Sequence, residues 1–415
     1  MLRRLASIAT LVACSLPASA LAATYEVGPG KPYASIQDTL SKLGPGDVVE
    51  VQGDHTYPGD LWIQTAGSAS APITFRGVSV NGHRPIIAGV GTAQYHNMIV
   101  LFYANHLVFE NFEIVGDENP SNFGLVNKAD DVTLRDLLVH GVANQGLLGT
   151  DQGSGSLTLE RSEFYGNGSG EEMHQIYMAT DETMFPGSVF RMQYCYVHDG
   201  VGGNNVKSRA ERNEIYSNWI EGAVYHELDL IGPDGQDPSL AREDSDVVGN
   251  VLVKHSMWRI ARIGGDGTGD TNGRYRFVAN TMVLGPMADT AITLQDAVAS
   301  VEMHDNVVVR LGAMGGQLYD VVDMAGAPAA FFGSHNWIQN GIGNVPASFT
   351  GTIQGADPGF TDASTFDLRP TKGSPLVDAG TTMTSIATPP FVNPLVVPTM
   401  VPPSRALGTE APRPM

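Results

Sequence analysis

A short strand motif returns along most of this 415-residue chain. It reads Phe109-Glu110-Asn111-Phe112-Glu113-Ile114, then Leu134-Arg135-Asp136-Leu137-Leu138-Val139, then Leu159-Glu160-Arg161-Ser162-Glu163-Phe164. It continues near Tyr194, Asn218, Asn250, Asn280, Asn306 and Asn336. With Asn111, Asp136, Ser162 and those six taken as equivalent, the steps are 25, 26, 32, 24, 32, 30, 26 and 30 residues. A period of ~20–50 residues marks a stacked-repeat architecture. Strand-type units at this period predict an elongated all-β solenoid of nine or more coils. The 48 glycines serve its tight corners. Function is then expected on an outer strand face, where neighbouring coils build one site.

The chain ends read differently. Residues 1–22 predict an export signal: Arg3 and Arg4, an apolar Leu5 to Leu16, and Ala20-Leu21-Ala22 as the cleavage site. The apolar run is too short to span a membrane. The expected product is secreted or periplasmic, not an integral membrane protein, and a monomer. The alternative is a lipoprotein box at Leu11-Val12-Ala13-Cys14, which would leave Cys14 acylated. Only Cys14 and Cys195 occur, so the exported form has no intrachain disulfide. Residues 23–388 are assigned to the solenoid. Residues 389–415 hold eight prolines and predict an extended tail, lying on the solenoid or disordered.

A net charge of −20 argues against a nucleic-acid partner. Yet Lys207, Arg209, Arg212, Arg242, Lys254, Arg259, Arg262, Arg274 and Arg276 all fall within 207–276. Such a local basic strip on an acidic protein can bind a polyanion. The structural alternative is a set of solvated coil corners.

Ile36, Leu40 and Leu43 recur at helical spacing in Tyr33 to Leu43. Gly44-Pro45-Gly46-Asp47 ends that segment, which predicts an amphipathic helix capping the first coil. The opening YEVGPGKPYASIQDTLSKLGPGDVVEV, the APITFRG segment, and the closing ADPGF and GSPLVDAG resemble right-handed parallel β-helix proteins of the pectin-lyase-like superfamily. The resemblance covers roughly residues 24–380. It implies a single-stranded right-handed parallel β-helix. It does not select an activity, since the superfamily holds lyases, hydrolases, epimerases, esterases and tailspikes.

The candidate centre is Asn204-Asn205-Val206-Lys207-Ser208-Arg209. Strand alternation puts Val206 and Ser208 inside and Asn205, Lys207 and Arg209 outside. The same count puts Gln175 and Tyr177 outside on the preceding coil, and Tyr225, Glu227 and Asp229 outside on the next. Strands ~4.8 Å apart would then gather these groups around one sugar unit. Val206-Lys207-Ser208 also resembles the Val-Lys-Ser motif of β-helix polysaccharide lyases of the alginate lyase and chondroitin lyase type. That resemblance implies Lys207 as catalytic base, a later arginine as aid, and Ca²⁺ on the uronate. The chain departs from the pattern at Asn204 and Asn205, where those families keep metal-binding Glu. His226, Arg242 and Arg259 are the candidates for the later group.

The chemistry expected is β-elimination from an acidic polysaccharide. The base must be neutral, and Arg209 beside Lys207 favours that. Arg209 would neutralise the substrate carboxylate. Tyr177, Tyr225 or His226 would protonate the leaving oxygen. Gln175, Asn205, Glu227, Asp229, Trp258, Arg259 and Arg262 are the candidate substrate contacts. The enzymatic alternative is an inverting hydrolase using Glu227 and Asp229. The alternative from another class is a non-catalytic polysaccharide-binding or export-associated β-helix. For a metal, Asp229, Asp234 and Asp237 offer hard oxygen ligands suited to Ca²⁺; Asp/Gly-rich turns give the structural alternative. Asn167-Gly168-Ser169 fits a glycosylation sequon. His140, His198 and His255 are expected at repeat positions, not as ligands.

Overall fold

The computed structural model describes residues 22–89, 97–232, 244–268, 271–312, 315–322, 330–381, 391, 395 and 401–405. Its strands stack into three long parallel sheets of twelve, ten and twelve strands. Each coil gives one strand to each sheet, and successive coils pair in register. One row in the first sheet runs Phe75, Phe109, Leu134, Leu159, Met192, Ile215, Val247, Phe277 and Met303. All nine are buried and belong to one continuous core. A parallel β-helix buries the inward half of every strand, so alternation such as Val132-Thr133-Leu134-Arg135 follows directly.

The helix expected over residues 33–43 is a single turn, Gln37–Leu40. Ile36 still reaches the core, and Leu40 and Leu43 pack against it. A full capping helix is therefore not what closes this end. Four residues lack the length at which a helix is stable by itself.

The coil corner after the first sheet holds the strongest repeat. Asn218, Asn250, Asn280, Asn306 and Asn336 form a buried ladder. The Oδ1 of Asn250, Asn280, Asn306 and Asn336 accepts both the backbone N–H and the side-chain amide of the preceding asparagine, at 2.8–3.0 Å. Each Nδ2 also donates to a backbone carbonyl, as Asn280 does to Val247 at 2.7 Å. In earlier coils the same position is held by Leu137, Ser162 and Cys195. The equivalence read from sequence is therefore one residue early at Asn111, Asp136 and Tyr194. Those three are the adjacent corner residue, held at φ 61°, 54° and 56°. Cys195 is buried and donates its Sγ–H to backbone carbonyls; burial pushes its thiol up to about 12. It is inert packing.

Tail residues touch the outside of the first and third sheets. Phe391 lies over the guanidinium groups of Arg276, Arg274 and Arg212, at 3.7, 4.4 and 5.6 Å. Arg405 pairs with Glu221 at 2.6 Å. Among the described residues no helix is long and apolar enough to cross a membrane.

Asn280→Ala should show the weight of the ladder. It removes the acceptor of the Asn250 N–H, one of the two acceptors of the Asn250 amide, and the side-chain donor to the Val247 carbonyl, all in a buried corner. A loss of about 3 kcal/mol or more is expected in urea unfolding, at about 1–3 kcal/mol per orphaned group.

Candidate functional site

The ten-stranded sheet carries the candidate residues. Strands Ile176–Ala179, Val206–Arg209, Leu228–Ile231 and Arg259–Gly264 lie side by side. Their register sets Tyr177, Lys207, Asp229 and Arg262 in one row across four coils. Thr293 and Asp320 extend it. Val206, Leu228 and Ala261 face the core between them, as alternation requires.

Two ion pairs frame the row. Arg262 grips Asp229 with both arms, Nε to Oδ1 at 2.6 Å and Nη2 to Oδ2 at 2.8 Å. Asn204 Nδ2 donates to the same Oδ2 at 2.9 Å. Burial would raise the Asp229 carboxyl, but Arg262, His226 and Lys207 bring it down to about 2. Arg209 donates from Nη2 to Asp266 at 2.7 Å, from Nη1 to the Gly232 carbonyl, and from Nε to the Tyr177 hydroxyl at 3.1 Å. Arg259 is drawn along the row to Thr293 at 3.0 Å and Asp320 at 3.1 Å. Lys207 is the exception. Among the described residues no carboxylate comes within ion-pair distance of its Nζ, which lies 5.0 Å over the Tyr177 ring. Burial lowers its pKa; Asp229 opposes that shift and Arg209 adds to it.

Two histidines border the row. His174 Nδ1 accepts the Asn204 backbone N–H at 2.9 Å. Its proton therefore sits on Nε2. The ring stands edge-on to Tyr177, 5.5 Å away. Burial, reinforced by Lys207, takes His174 down to about 3. Burial takes His226 down to about 4. Both are neutral at working pH. Gly203 permits this arrangement: a Cβ there would stand 2.1 Å from His174 Nδ1, and its φ is +50°. Sequence reasoning missed His174, and it gave Asn204 and Asp266 no part beside Lys207. The signal was the spacing, since His174, Asn204 and His226 each stand three residues before Tyr177, Lys207 and Asp229.

Gln175, Asn205 and Glu227 do not face outward. They sit at the corner just before each strand, where alternation breaks, and all three are fully buried. They form a polar ladder: Gln175 Nε2 to Asn205 Oδ1 at 2.9 Å, and Asn205 Nδ2 to Glu227 Oε2 at 2.6 Å. Lys254 Nζ follows, 3.4 Å from Glu227 Oε1. Burial pushes Glu227 up and Lys254 down, and each charge holds the other against that push. Asn167 begins the ladder at Gln175, with its amide fully buried; the sequon cannot receive a glycan in the folded chain. Glu227 is thus removed from Asp229, and no hydrolase pair of accessible carboxylates stands there.

The basic strip also divides. Arg212, Arg274 and Arg276 lie on the first sheet, buried and paired with Asp244, Asp246 and Glu214. Lys254 is inside the ladder. Among the described residues of the strip, Lys207, Arg209, Arg259 and Arg262 share the candidate face. Arg242, Asp234 and Asp237 lie outside the described residues. Asp229 and Asp266 are held by arginines, so the described carboxylates of this face do not fit a Ca²⁺ cradle. Trp258 is 40% exposed, with its ring 5.5 Å from Tyr225. A hydrogen bond to Glu171 raises Tyr225. This aromatic pair stands beside the row. His140 and His198 sit on the third sheet and His255 just past its strand Val251–Lys254, against Glu113, Glu163 and Glu221.

Two expectations test this electrostatic plan. Lys254→Met strands Glu227 and should cost about 3–5 kcal/mol, with much of it restored when Glu227→Gln is added. Between pH 6.5 and about 4, unfolded chains bind protons that folded His174 and His226 refuse. Stability should therefore fall on acidification from pH 7 to pH 5, by about 2 kcal/mol for each histidine. Urea midpoints of His174→Asn and His226→Asn should lose that slope. Asp229 adds its own loss only as pH drops below about 4, because its folded pKa is depressed.

No family model and no curated protein sequence matches the chain. Solved structures do. Pectate lyase Pel9A superposes with a TM-score of 0.57 at 14% identity, covering 88% of this chain and 93% of that one. A rhamnogalacturonan lyase gives 0.46 at 14% identity, covering 75% and 87%. An alginate lyase from Paenibacillus sp. str. FPU-7 gives 0.42 at 15% identity, covering 80% and 99%. The three parallel sheets and the match to Pel9A together make this chain a parallel β-helix.

Proposed function

We propose that this chain is an exported lyase that cleaves a uronate-containing polysaccharide by β-elimination, with Lys207 as the base. The fold hosts several chemistries, so the reading rests on side chains. The observation that carries it is Lys207 itself: a half-buried amine with a lowered pKa, unpaired among the described residues, between two arginine–carboxylate pairs.

The steps follow from position. Neutral Lys207 Nζ takes the proton from the carbon beside the uronate carboxylate. Arg262 is the better neutraliser than Arg209. Its side chain is 26% exposed, whereas that of Arg209 is 4% exposed and divided among Tyr177, Gly232 and Asp266. Guanidinium charge at the carboxylate stabilises the electron density that builds there. The electron pair then forms the ring double bond, and the glycosidic C–O bond breaks. Tyr177, next to Lys207 in the row, protonates the leaving oxygen. Arg209 holds that phenol in place. Tyr225 stands at the rim and His226 is buried and neutral, so both suit contacts more than proton delivery. Tyr225 and Trp258 would stack on the neighbouring sugar.

The direct test is ultraviolet absorbance from unsaturated ends. Polyuronates and mixed bacterial polymers would be incubated with the protein, with Ca²⁺ and with chelator. Lys207→Ala and Tyr177→Phe should each lower kcat by about 10²–10⁴-fold. Activity should rise with pH through the lowered pKa of Lys207, because the base works uncharged. Arg262→Gln removes a neighbouring positive charge and should move that limb to higher pH. Reducing ends without absorbance would replace elimination by hydrolysis. Retained binding with no product would favour the non-catalytic reading.

A further inference from the structure

The row that holds Lys207 does not begin there. Towards the N-terminus the same register continues through Leu148, Val126, Val100 and Trp62. Ten coils therefore present one outward row, and over the eight from Trp62 to Arg262 its character changes once, at Tyr177. The four earlier strands are Leu61–Ile63, Asn97–Phe102, Phe123–Lys128 and Leu147–Gly149. Together they carry a single charged residue, Lys128. The next four carry Lys207, Arg209, Asp229, Arg259 and Arg262. Val100 and Val126 form a buried floor, at 3% and 6% exposure. Half-buried Trp62 and Phe102 stand on it, ring centroids 5.3 Å apart. Tyr103 follows at 4.5 Å from Phe102 and is 44% exposed.

Coil spacing is ~4.8 Å, close to the length of one pyranose. A glycan lying along the solenoid axis meets about one coil per sugar. The sugar at Lys207 and Arg262 meets charge. Sugars on the earlier coils meet Leu148 and the rings of Trp62, Phe102 and Tyr103, with Val100 and Val126 beneath. A carboxylate on the row there would lose its water, a cost that burial makes large, and the one cation those four strands offer is Lys128, off the row in register with Phe102. An uncharged pyranose face finds apolar and aromatic surface instead.

We infer that the substrate is a mixed polysaccharide in which a uronate is followed, on the side facing Trp62, by neutral sugars. A polymer with a carboxylate on every residue does not match the row. This rests on the lyase reading for the identity of the central sugar, but the apolar track stands apart from the chemistry.

The experiment uses the full chain. The substrates are polygalacturonate and alginate on one side, and gellan, xanthan and hyaluronan on the other. Unsaturated ends report cleavage, and retardation in polysaccharide-containing native gels reports binding. At least one mixed polymer should be cleaved with kcat/KM about tenfold or more above either homopolyuronate. Trp62→Ala, and Phe102→Leu as a milder variant, should raise KM on that polymer about tenfold, the loss typical of an aromatic anchor, and leave kcat unchanged. Preference for a homopolyuronate, with KM insensitive to both variants, overturns the inference. If nothing is cleaved, retardation by a mixed polymer that Trp62→Ala abolishes upholds the track and removes the lyase reading. Absence of retardation by every mixed polymer overturns the track.

Discussion

Everything on the candidate face depends on coils stacking without a slip. Tyr177, Lys207, Asp229 and Arg262 come from four different coils, separated by 30, 22 and 33 residues. They meet only because each strand pairs with the next at one offset. A slip of one residue in a single coil would turn its outward side chain inward. Apolar packing alone tolerates such slips, since many core positions are interchangeable aliphatics. The buried ladders do not. Asn250, Asn280, Asn306 and Asn336 each accept from the preceding asparagine's N–H and amide, and Asn205 accepts from Gln175 and donates to Glu227. Displacement would orphan several buried polar groups at once, which costs far more than a shifted methyl.

The ladders also explain how an acidic chain concentrates its cations. Net charge is −20, and a cluster of positive residues occurs in 207–276. Folding separates that cluster among different faces. Arg212, Arg274 and Arg276 are cancelled by carboxylates on the first sheet and covered by Phe391. Lys254 is cancelled inside the corner by Glu227. What remains of the cluster among the described residues of the candidate face is Lys207, Arg209, Arg259 and Arg262, of which Arg209, Arg259 and Arg262 pair with Asp266, Asp320 and Asp229. The surplus there is Lys207, for which no described carboxylate lies within ion-pair distance. A polyanion would be attracted to this face while the rest of the surface repels it.

Much of this was legible in the chain. The repeat announced stacked coils, and the apolar alternation of Val206-Lys207-Ser208 fixed which way Lys207 points. The failures share one cause. Counting by two is valid within a strand, and Gln175, Asn205 and Glu227 stand just outside theirs. There the chain bends, and His174, Asn204 and His226 take the outward places instead. Asn111, Asp136 and Tyr194 were misaligned for the same reason, since a corner holds two adjacent special positions. The basic strip misled because closeness in sequence is not closeness in space when each coil visits three sheets. The switch from Trp62, Val100, Val126 and Leu148 to Tyr177 and Lys207 was beyond reach, because it needs the register of eight coils of unequal length.

Asp229 is the residue whose meaning changes most. As a sequence feature it could be a hydrolytic carboxylate, a metal ligand or a substrate contact. Its side chain is fully buried and its carboxyl is held near 2. A group so deeply ionised cannot donate a proton at working pH. Both its oxygens are taken by Arg262 and one also by Asn204. Its effect is therefore exerted through others. It fixes the plane of Arg262, so that the guanidinium presents a constant face to a carboxylate. It also supports the charged form of Lys207, opposing burial and Arg209. These influences pull Lys207 both ways, and the base proposed for it would need that balance: low enough to lose its proton, high enough to take one from carbon.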